Sequence, residues 1–427
     1  MRATFRPLEL GLLIYSVLLL AAASIALHFA RGNTWDQIDA AATIAFGLML
    51  LVLHGVLSWR LGRSDQVLVP VVATLCALGL IAVARLEPDL GGRQAVWVGI
   101  GALALLTAAL AVPSTEWLGR YRYTWLVLGM VGLGVTILFG IDPNGSGMRL
   151  WLGYGGLYFQ PSEIMKVLTV VFFASYLAER RQLIAHAPLR LGPVTLPPLP
   201  YLGPLLAMWA VSMGLLIWQR DLGAALLFFL VFLALLYTAT GYRYVMVGLV
   251  LLVAGAVLAY SLFDHVQLRT RIWLNPWPYA DDDAYQIVQA LGAFAAGGLG
   301  GSGLGYGYPE YVPAIHTDFV LAALGEEMGL VGSLAVVGLY LLLIHRSFRI
   351  AMRARSDFAM LLAAGLGATL GLQALIILAG NLRVIPITGI TLPFMSYGGS
   401  SILANFVMIG LLLRVSAEGV LGDQQDD

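Results

Sequence analysis

Apolar runs of about 20 residues recur along almost the whole length of this 427-residue chain, and they limit it to one class of fold. A helix needs about 20 apolar residues to cross the roughly 30 Å hydrocarbon core of a bilayer. Hydrophobic residues make up 59% of the chain and charged residues only 11%, unlike the composition of a soluble domain. The sequence therefore predicts an all-α, polytopic membrane helical bundle.

The apolar runs indicate about twelve transmembrane helices, with boundaries accurate to a few residues. They cover residues 8–30, 41–59, 67–84, 95–112, 123–140, 161–178, 199–217, 222–240, 243–262, 318–344, 357–380 and 397–414. The longest predicted connection is a large loop at 264–317.

Arginine positions predict the orientation of these helices. One side of the membrane holds most of the arginines: Arg2, Arg6, Arg60, Arg63, Arg120, Arg122, Arg180, Arg181, Arg190, Arg243, Arg346, Arg349, Arg353, Arg355 and Arg414. The other side holds only Arg31, Arg85, Arg93, Arg149, Arg220, Arg269, Arg271 and Arg383. Because cytoplasmic loops are enriched in positive residues, we expect both termini in the cytoplasm and the loop at 264–317 outside it.

The charged segment between two apolar runs is where we expect chemistry. The loop at 264–317 leads to Asp318, and the helix that follows still carries Glu326 and Glu327. Ionisable groups at the level of a membrane are costly, so they mark a functional site by default. Asp318 is the first candidate for a catalytic group.

The outward arginines offer a second kind of candidate. Guanidinium groups bind phosphate oxygens through paired hydrogen bonds, so arginines around a cavity would suit a pyrophosphate. The alternative is that these side chains reach toward lipid headgroups. The arginines at or near outward helix ends are Arg149, Arg220, Arg269, Arg271 and Arg383.

Lys166 is the only lysine among 24 basic residues, and it lies inside a predicted helix. Glu163 precedes it by three residues, which places both side chains on one helix face. Two interpretations remain open. The pair either holds helices together as an internal ion pair, or lines a polar cavity that opens outward about two turns away.

The loop before Asp318 contains three further patterns. Residues 285–291 are typical of a short helix at the membrane interface. The glycine-rich run at 297–305 permits tight turns or an anion-binding nest, although it matches no established phosphate-binding spacing. Asp281, Asp282 and Asp283 favour an acidic turn before the next helix, with a divalent-metal site as the alternative.

Taken in order, the motifs resemble the RodA/FtsW/SpoVE family of bacterial shape, elongation, division and sporulation proteins. The matching residues are Gln160-Pro161-Ser162-Glu163, Lys166, Tyr285-Gln286, His316-Thr317-Asp318-Phe319, Gly325-Glu326-Glu327-Met328-Gly329, Asn381, the segment 386–401 and Asn405. Arg220 and the Ala314-Ile315 pair depart from the family pattern. The resemblance covers roughly residues 95–414.

The resemblance divides the chain into three parts. Residues 1–90 hold two helices beyond the family's usual set, residues 91–414 form the family-like catalytic domain with its outward loop, and residues 415–427 form a short cytoplasmic tail.

The resemblance implies a peptidoglycan glycosyltransferase that polymerises lipid II at the outer face of the bacterial cytoplasmic membrane. Asp318 would be the general base, with His316 as the alternative, and cations would stabilise the departing pyrophosphate. A divalent cation, Mg²⁺ or Mn²⁺, is the cofactor considered; lipid II, membrane lipids and a class B penicillin-binding protein, a single-span transpeptidase, are the expected partners. The candidate substrate-binding residues are Lys166, Glu163, Arg149, Arg220, Arg271, His316, Thr317, Ser396 and Ser400.

Two other function classes remain open at this point. A lipid II flippase would use the Glu163–Lys166 pair as a gate, although the sequence shows no inverted repeat of broken helices. A noncatalytic scaffold for cell-wall enzymes would not need a convergent set of charges on the outer face. The zero net charge gives no electrostatic reason to expect nucleic acid, and a single cysteine, Cys76, excludes an intrachain disulfide.

Overall fold

Helices dominate the computed structural model, which describes residues 5–32, 40–143, 145, 149–155, 157–186, 189–191, 194–196 and 199–422. The helices are α1 Pro7–Ala30, α2 Ala41–Arg60, α3 Leu68–Leu86, α4 Pro88–Ala111, α5 Thr115–Arg120, α6 Arg122–Phe139, α7 Pro161–His186, α8 Leu199–Trp218, α9 Leu222–Thr240, α10 Tyr242–Leu262, α11 Asp264–Leu274, α12 Tyr285–Gly297, α13 Ile315–Asp318, α14 Val320–Met352, α15 Asp357–Asn381 and α16 Gly399–Gly422. The strands form two antiparallel hairpins, β1 Leu152–Tyr154 with β2 Leu157–Phe159 and β3 Leu189–Leu191 with β4 Val194–Leu196.

Eleven helices within the described residues are long and apolar enough to cross a membrane. The remaining predicted span corresponds to α8, whose described apolar part, Gly203–Trp218, is shorter. Most predicted boundaries agree within a few residues, but α7, α14 and α16 continue about two turns beyond their predicted ends and α4 begins about two turns before its predicted start. The prediction of a multi-pass helical membrane protein is confirmed.

The centre of the bundle consists of α3, α7, α15 and α16, whose residues are mostly buried. Glycines on α15 allow its neighbours to approach closely. A side-chain carbon at Gly367 would lie 2.5 Å from the Ser347 Cβ atom of α14, and one at Gly365 would lie 2.8 Å from Val170 of α7. Small residues at such contacts let helix backbones pack tightly in a membrane. In contrast, α10 lies at the periphery and exposes most of its side chains.

Short helices occupy much of the predicted loop at 264–317. The interfacial helix expected at 285–291 is present as α12 and continues to Gly297. The segment 264–274, predicted as the start of the loop, is the helix α11.

The glycine-rich run after α12 docks onto a break in α14. Gly329 has a φ of 66° and interrupts the helix. The Leu330 N–H group, freed by this break, donates to the Gly298 carbonyl at 2.9 Å, while the Ser302 N–H group donates to the Glu326 carbonyl at 2.9 Å. Backbone groups of the run are therefore engaged within the protein at these positions, in place of the anion nest considered from sequence.

A buried ion cluster fixes α1 and α2 to the rest of the bundle. Glu9 of α1 binds Arg6 at 2.6 Å and His54 of α2 at 2.8 Å. Arg6 also donates to the Asp65 carbonyl at 2.6 Å, and the Asp65 carboxylate accepts from the Arg346 Nε atom of α14 at 2.9 Å. The two N-terminal helices are thus attached by charges as well as by apolar packing.

Candidate active site

The backbone of α13 is held at each of its last three carbonyl groups, which fixes the position of Asp318. Each carbonyl accepts one hydrogen bond from the C-terminal part of the chain. The donors are the Asn381 side chain to residue 318 at 2.7 Å, the Ser396 hydroxyl to residue 317, and the Tyr397 N–H group to residue 316 at 2.9 Å. Ser396, a predicted substrate-binding residue, is buried and positions α13 in this arrangement.

The entry to α13 is strained. Ala314 has a φ of 49°, in the left-handed region that residues with a side chain rarely adopt. Such a conformation persists where surrounding contacts over-determine it, and it is concentrated at functional sites. The three hydrogen bonds to α13 supply contacts of this kind.

Arg269 of α11 faces Asp318 across Gly389. A side-chain carbon at Gly389 would lie 3.8 Å from Asp318 Oδ2 and 3.9 Å from Arg269 Nη2. Arg269 Nη1 also donates to the Thr388 carbonyl at 3.4 Å. The carboxylate and the guanidinium interact electrostatically, but they are not in direct ion-pair contact. They flank a gap in which a polar ligand could contact both.

Burial raises the pKa of Asp318 to about 6, against the opposing effects of the Thr317 hydrogen bond and the positive charge of Arg269. The carboxyl group keeps some solvent access, although protein atoms surround most of it. A carboxylate with a pKa near 6 is ionised at neutral pH and is a better proton acceptor than an ordinary aspartate. Its environment is therefore suited to general-base chemistry.

Two more ionisable groups lie close to Arg269. Burial, together with the positive charges of Arg269 and Arg220, lowers the pKa of His265. His265 Nε2 is also buried without a hydrogen-bond partner among the described residues. Asp221 also interacts electrostatically with Arg269. The site thus brings two arginines, a histidine and two acids close together.

Asp221 caps α9 and joins it to the start of α7. Its Oδ1 atom accepts from the Ala224 N–H group at 3.0 Å, and its Oδ2 atom accepts from the Gln160 side chain at 3.2 Å. The Gln160 N–H group donates to Ser400 Oγ at 2.8 Å. Ser400, a predicted substrate-binding residue, therefore supports the wall of the site. Burial raises the pKa of Asp221, and the neighbouring Glu163 adds to that effect.

Close backbone contacts hold the segment 382–398 against the bundle. A side-chain carbon at Gly223 would lie 2.5 Å from the Thr388 carbonyl, and one at Gly79 would lie 2.7 Å from the Met395 backbone. Only glycine permits such approaches. The segment brings Thr388 and Gly389 beside Arg269 and Asp318 for this reason.

Lys166 is the centre of a buried hydrogen-bond network. Its ammonium group donates to Glu163 Oε2 at 2.6 Å, to Gln373 Oε1 at 2.8 Å and to Asn405 Oδ1 at 3.2 Å. These acceptors come from α7, α15 and α16. An ammonium group has three N–H donors, so all of them are used. Gln373 in turn donates to the Thr391 carbonyl at 2.8 Å, which connects Lys166 to the segment beside Asp318.

Apart from His316, the remaining predicted site residues are Arg220, Arg149, Arg271 and Thr317. Arg220 is exposed and lies near His265. Arg149 and Arg271 are exposed and make no ion pair or side-chain hydrogen bond with the described residues of the site. Thr317 donates to the Ala314 carbonyl at 2.9 Å and adjoins Asp318.

His316, the alternative base, has a different environment from Asp318. Its Nδ1 atom lies 3.8 Å from Glu87 Oε1, and its ring packs edge-on against Tyr397. Burial lowers the pKa of His316, against the opposing charge of Glu87. The imidazole therefore lies against Tyr397 and near Glu87, the residue between α3 and α4.

Sequence reasoning missed the partners that the structure gives to Asp318. Arg269 was recognised only as one of several outward arginines, and His265 and Asp221 were not selected. The signal was a spacing of four residues between His265 and Arg269, which places both on one face of a helix, with Arg271 on another. That spacing has no meaning in a loop, and the segment was predicted as a loop.

Several known proteins are similar to this chain over most of its length. The profile of the FtsW, RodA and SpoVE cell cycle proteins matches residues 66–420. The peptidoglycan glycosyltransferase RodA of Mycobacterium tuberculosis is 39% identical, over 97% of this chain and 91% of the relative. The probable peptidoglycan glycosyltransferase FtsW of Coxiella burnetii is 35% identical, over 85% of this chain and 98% of the relative.

Solved structures show the same fold. A chain from a peptidoglycan synthase complex, described as coordinating polymerization and crosslinking, superimposes with a TM-score of 0.70 at 30% identity, over 83% of this chain and 98% of that chain. The rod shape determining protein RodA of Thermus thermophilus gives a TM-score of 0.60 at 28% identity, over 83% and 96%. Because the profile spans most of the chain and the curated relatives cover nearly all of it, this protein belongs to the FtsW, RodA and SpoVE family of cell cycle proteins.

Proposed function

We propose that this protein is a peptidoglycan glycosyltransferase that polymerises lipid II into glycan strands. The observation that carries the proposal is the gap at Gly389, where a carboxylate with a raised pKa faces a partly buried guanidinium. The names of the relatives support the same reaction class. A scaffold would have no need for a carboxylate adjusted toward proton transfer, and the sequence shows no inverted repeat of broken helices that would favour a flippase.

The reaction asks for two kinds of group, and the site supplies both. Asp318 accepts the proton from the sugar hydroxyl of the acceptor while that oxygen attacks the anomeric carbon of the donor. The bond from the anomeric carbon to the lipid pyrophosphate breaks, and negative charge develops on the departing oxygens. Arg269 lies on the opposite side of the gap and stabilises that charge. Arg220, which lies near His265, extends the positive region away from Asp318.

The described residues do not form a pre-built metal site, since no three His, Cys, Asp or Glu side chains converge among them. We keep the divalent cation as a proposal. Magnesium commonly takes one or two carboxylates together with substrate phosphates and water, so the pyrophosphate would provide most of its ligands. No step of the proposed reaction depends on it.

The test is the Asp318→Asn variant, assayed as purified protein with labelled lipid II. The amide keeps the volume but cannot accept the proton, so we expect polymerisation to fall by about 10²–10⁴. Asp281→Asn is the matched control, because Asp281 lies in the exposed acidic turn, and it should remain active. Near-normal glycan synthesis by Asp318→Asn would remove Asp318 from the mechanism.

Thermal stability separates a catalytic defect from misfolding. Because the pKa of Asp318 is raised from 3.8 to about 6, its stabilising contribution is complete below the unfolded value and is lost as the pH rises through about 6. The neutral amide avoids this loss. At pH 8 the free energy of unfolding of the Asn variant should therefore exceed that of the wild type by at most about 3 kcal/mol, and the variant should unfold at a higher temperature.

We further propose a bacterial cytoplasmic membrane location with both termini in the cytoplasm, and assembly with a class B penicillin-binding protein. The relative found in a peptidoglycan synthase complex supports the second point. Co-purification of the full chain with a single-span transpeptidase from the same cells tests it. Failure of the two proteins to associate in detergent and in bilayers would contradict it.

A further inference from the structure

A basic pocket lies at the far end of α14 from Asp318. It has a volume of about 310 Å³ and is bordered by the start of α1, the segment before α3, the end of α14 and α16. Four arginines line it, with one carboxylate: Arg63, Arg346, Arg349, Arg353 and Asp65. Nothing in the proposed glycosyl transfer uses these residues.

Among the residues that the structure describes, arginines outnumber carboxylates in the lining of this pocket. Asp65 is engaged by Arg346, with a Nε–Oδ2 distance of 2.9 Å. Arg349 and Arg353 have no carboxylate within ion-pair distance and no side-chain hydrogen bond in the part of the chain that the structure describes. The helix dipole favours cations at the end of α14. It is not a hydrogen-bond partner for the N–H groups of the two guanidinium groups. Arg349 lies in the last turn of α14 and Arg353 directly follows the helix, and both line the pocket.

Apart from the arginines and Asp65, the pocket is lined by the polar residues Ser64, Gln66 and Ser416 and by several apolar side chains. Leu8, Ile350 and Val415 line the pocket beside the arginines. Leu8 is 54% exposed at the start of α1, and Met352 is 78% exposed at the end of α14. Both helices are long and apolar enough to cross a membrane, and the pocket lies at the ends of these two helices. A ligand there can contact arginines with one end and apolar side chains with the other.

We infer that this pocket binds the headgroup of an anionic phospholipid, with its phosphate on Arg349 and Arg353 and its acyl chains along α1 and α14. Arginine forms paired, charge-assisted hydrogen bonds with phosphate oxygens, and basic pockets between transmembrane helices at the bilayer surface recognise such headgroups. A soluble phosphate would gain nothing from the apolar walls. The bound lipid would also join α1 to the core, next to the Arg6–Glu9–His54 ion cluster.

The test is native mass spectrometry of the full chain in detergent with phosphatidylglycerol or phosphatidylcholine of the same acyl chains. The wild type should retain phosphatidylglycerol preferentially. Arg349→Gln with Arg353→Gln should weaken that retention by about ten- to thirtyfold, because each surface arginine contributes about fivefold. Arg60→Gln with Arg120→Gln removes the same charge from exposed positions on the same side and should behave as the wild type.

Two further measurements make each outcome decisive. The melting temperature of the wild type and the Arg60/Arg120 control should rise on addition of phosphatidylglycerol, whereas that of the pocket variant should not. Inorganic phosphate should not displace the lipid; displacement would assign the pocket to a soluble anion and overturn the proposal. Equal lipid retention by the pocket and control variants would also overturn it. If the double pocket variant does not fold, Arg349→Gln and Arg353→Gln are measured singly, each with an expected loss of about fivefold.

Discussion

Two opposing effects set the pKa of the Asp318 carboxyl group. Burial raises the pKa of Asp318, and the charge of Arg269 lowers it, so that the carboxyl group has a pKa of about 6. Without burial the aspartate would be a weak base, and without the arginine it would remain protonated over more of the working pH range. The basicity of Asp318 therefore depends both on its burial and on the charge of Arg269.

We expect Arg269→Gln to move the acidic limb of the activity profile to higher pH. A general base works only when ionised, so activity should fall below a pH of about 6 in the wild type. Removal of the positive charge takes away a cause that lowers the pKa of Asp318, and the limb should shift upward. The measurement is kcat/KM for lipid II polymerisation between pH 5 and about 9.

Two matched variants make this measurement specific. Arg271→Gln removes an arginine from an exposed position two residues away on the same helix, and its acidic limb should not move. Arg269→Lys keeps the positive charge and should restore most of the profile. An unchanged limb in Arg269→Gln would show that the guanidinium does not influence Asp318.

Lys166 links three helices, because each of its three hydrogen-bond acceptors lies on a different helix. Its contacts with Glu163, Gln373 and Asn405 join α7, α15 and α16 at one buried point. This geometry serves the interpretation of the pair as a link between helices, and Lys166 could contact a substrate only by releasing an acceptor. The role of Lys166 at the substrate stays a prediction, which a double-mutant cycle can resolve.

We expect Glu163→Gln with Lys166→Met to give a folded protein without polymerase activity. Lys166→Met alone leaves the Glu163 charge partly buried, at a cost of about 3 kcal/mol or somewhat more, and the second substitution removes that charge. The double variant should therefore unfold at a higher temperature than Lys166→Met. Melting temperature and lipid II polymerisation are measured for both single variants and the double.

The comparison of stability with activity decides between the two interpretations. If the pair only links helices, the double variant should regain activity as it regains stability. If Lys166 also meets the pyrophosphate, activity should stay low in a stable protein. Glu163→Gln alone provides the control, because it retains Lys166 and an acceptor oxygen.

The sequence predicted the spans well because their apolar runs are long and bounded by arginines. It did not predict the helix α11 at 264–274, because the residues of that helix are of mixed polarity and form no long apolar face. The contacts around Asp318 depend on Thr388, Gly389 and Asn381, far away in the chain, and a single sequence does not show which segments meet. Asp318 could be selected because a lone carboxylate before a span is costly; Arg269 could not be separated from Arg271.

At the scale of the whole molecule, the structure separates two charged regions along α14. Asp318 and Arg269 lie before the start of that helix, and Arg349 and Arg353 lie at its other end. The helix is long and apolar enough to cross a bilayer. If the arginine-rich end faces the cytoplasm, as the positive-inside rule indicates, the site at Gly389 opens on the opposite side, where glycan strands are needed.

Cysteine labelling tests this orientation directly. In a Cys76→Ala background, Asp282→Cys, in the exposed acidic turn before α12, should react with a membrane-impermeant thiol reagent added to intact cells. Glu116→Cys, on the exposed face of α5, should react only after the membrane is opened. Both changes replace an exposed carboxylate by a thiol, and the Cys76→Ala background has no other cysteine. A difference in labelling therefore reports the side of the membrane on which each residue lies. Labelling of residue 116 but not 282 in intact cells would place the Asp318–Arg269 gap in the cytoplasm, and polymerisation at the outer face would then be impossible.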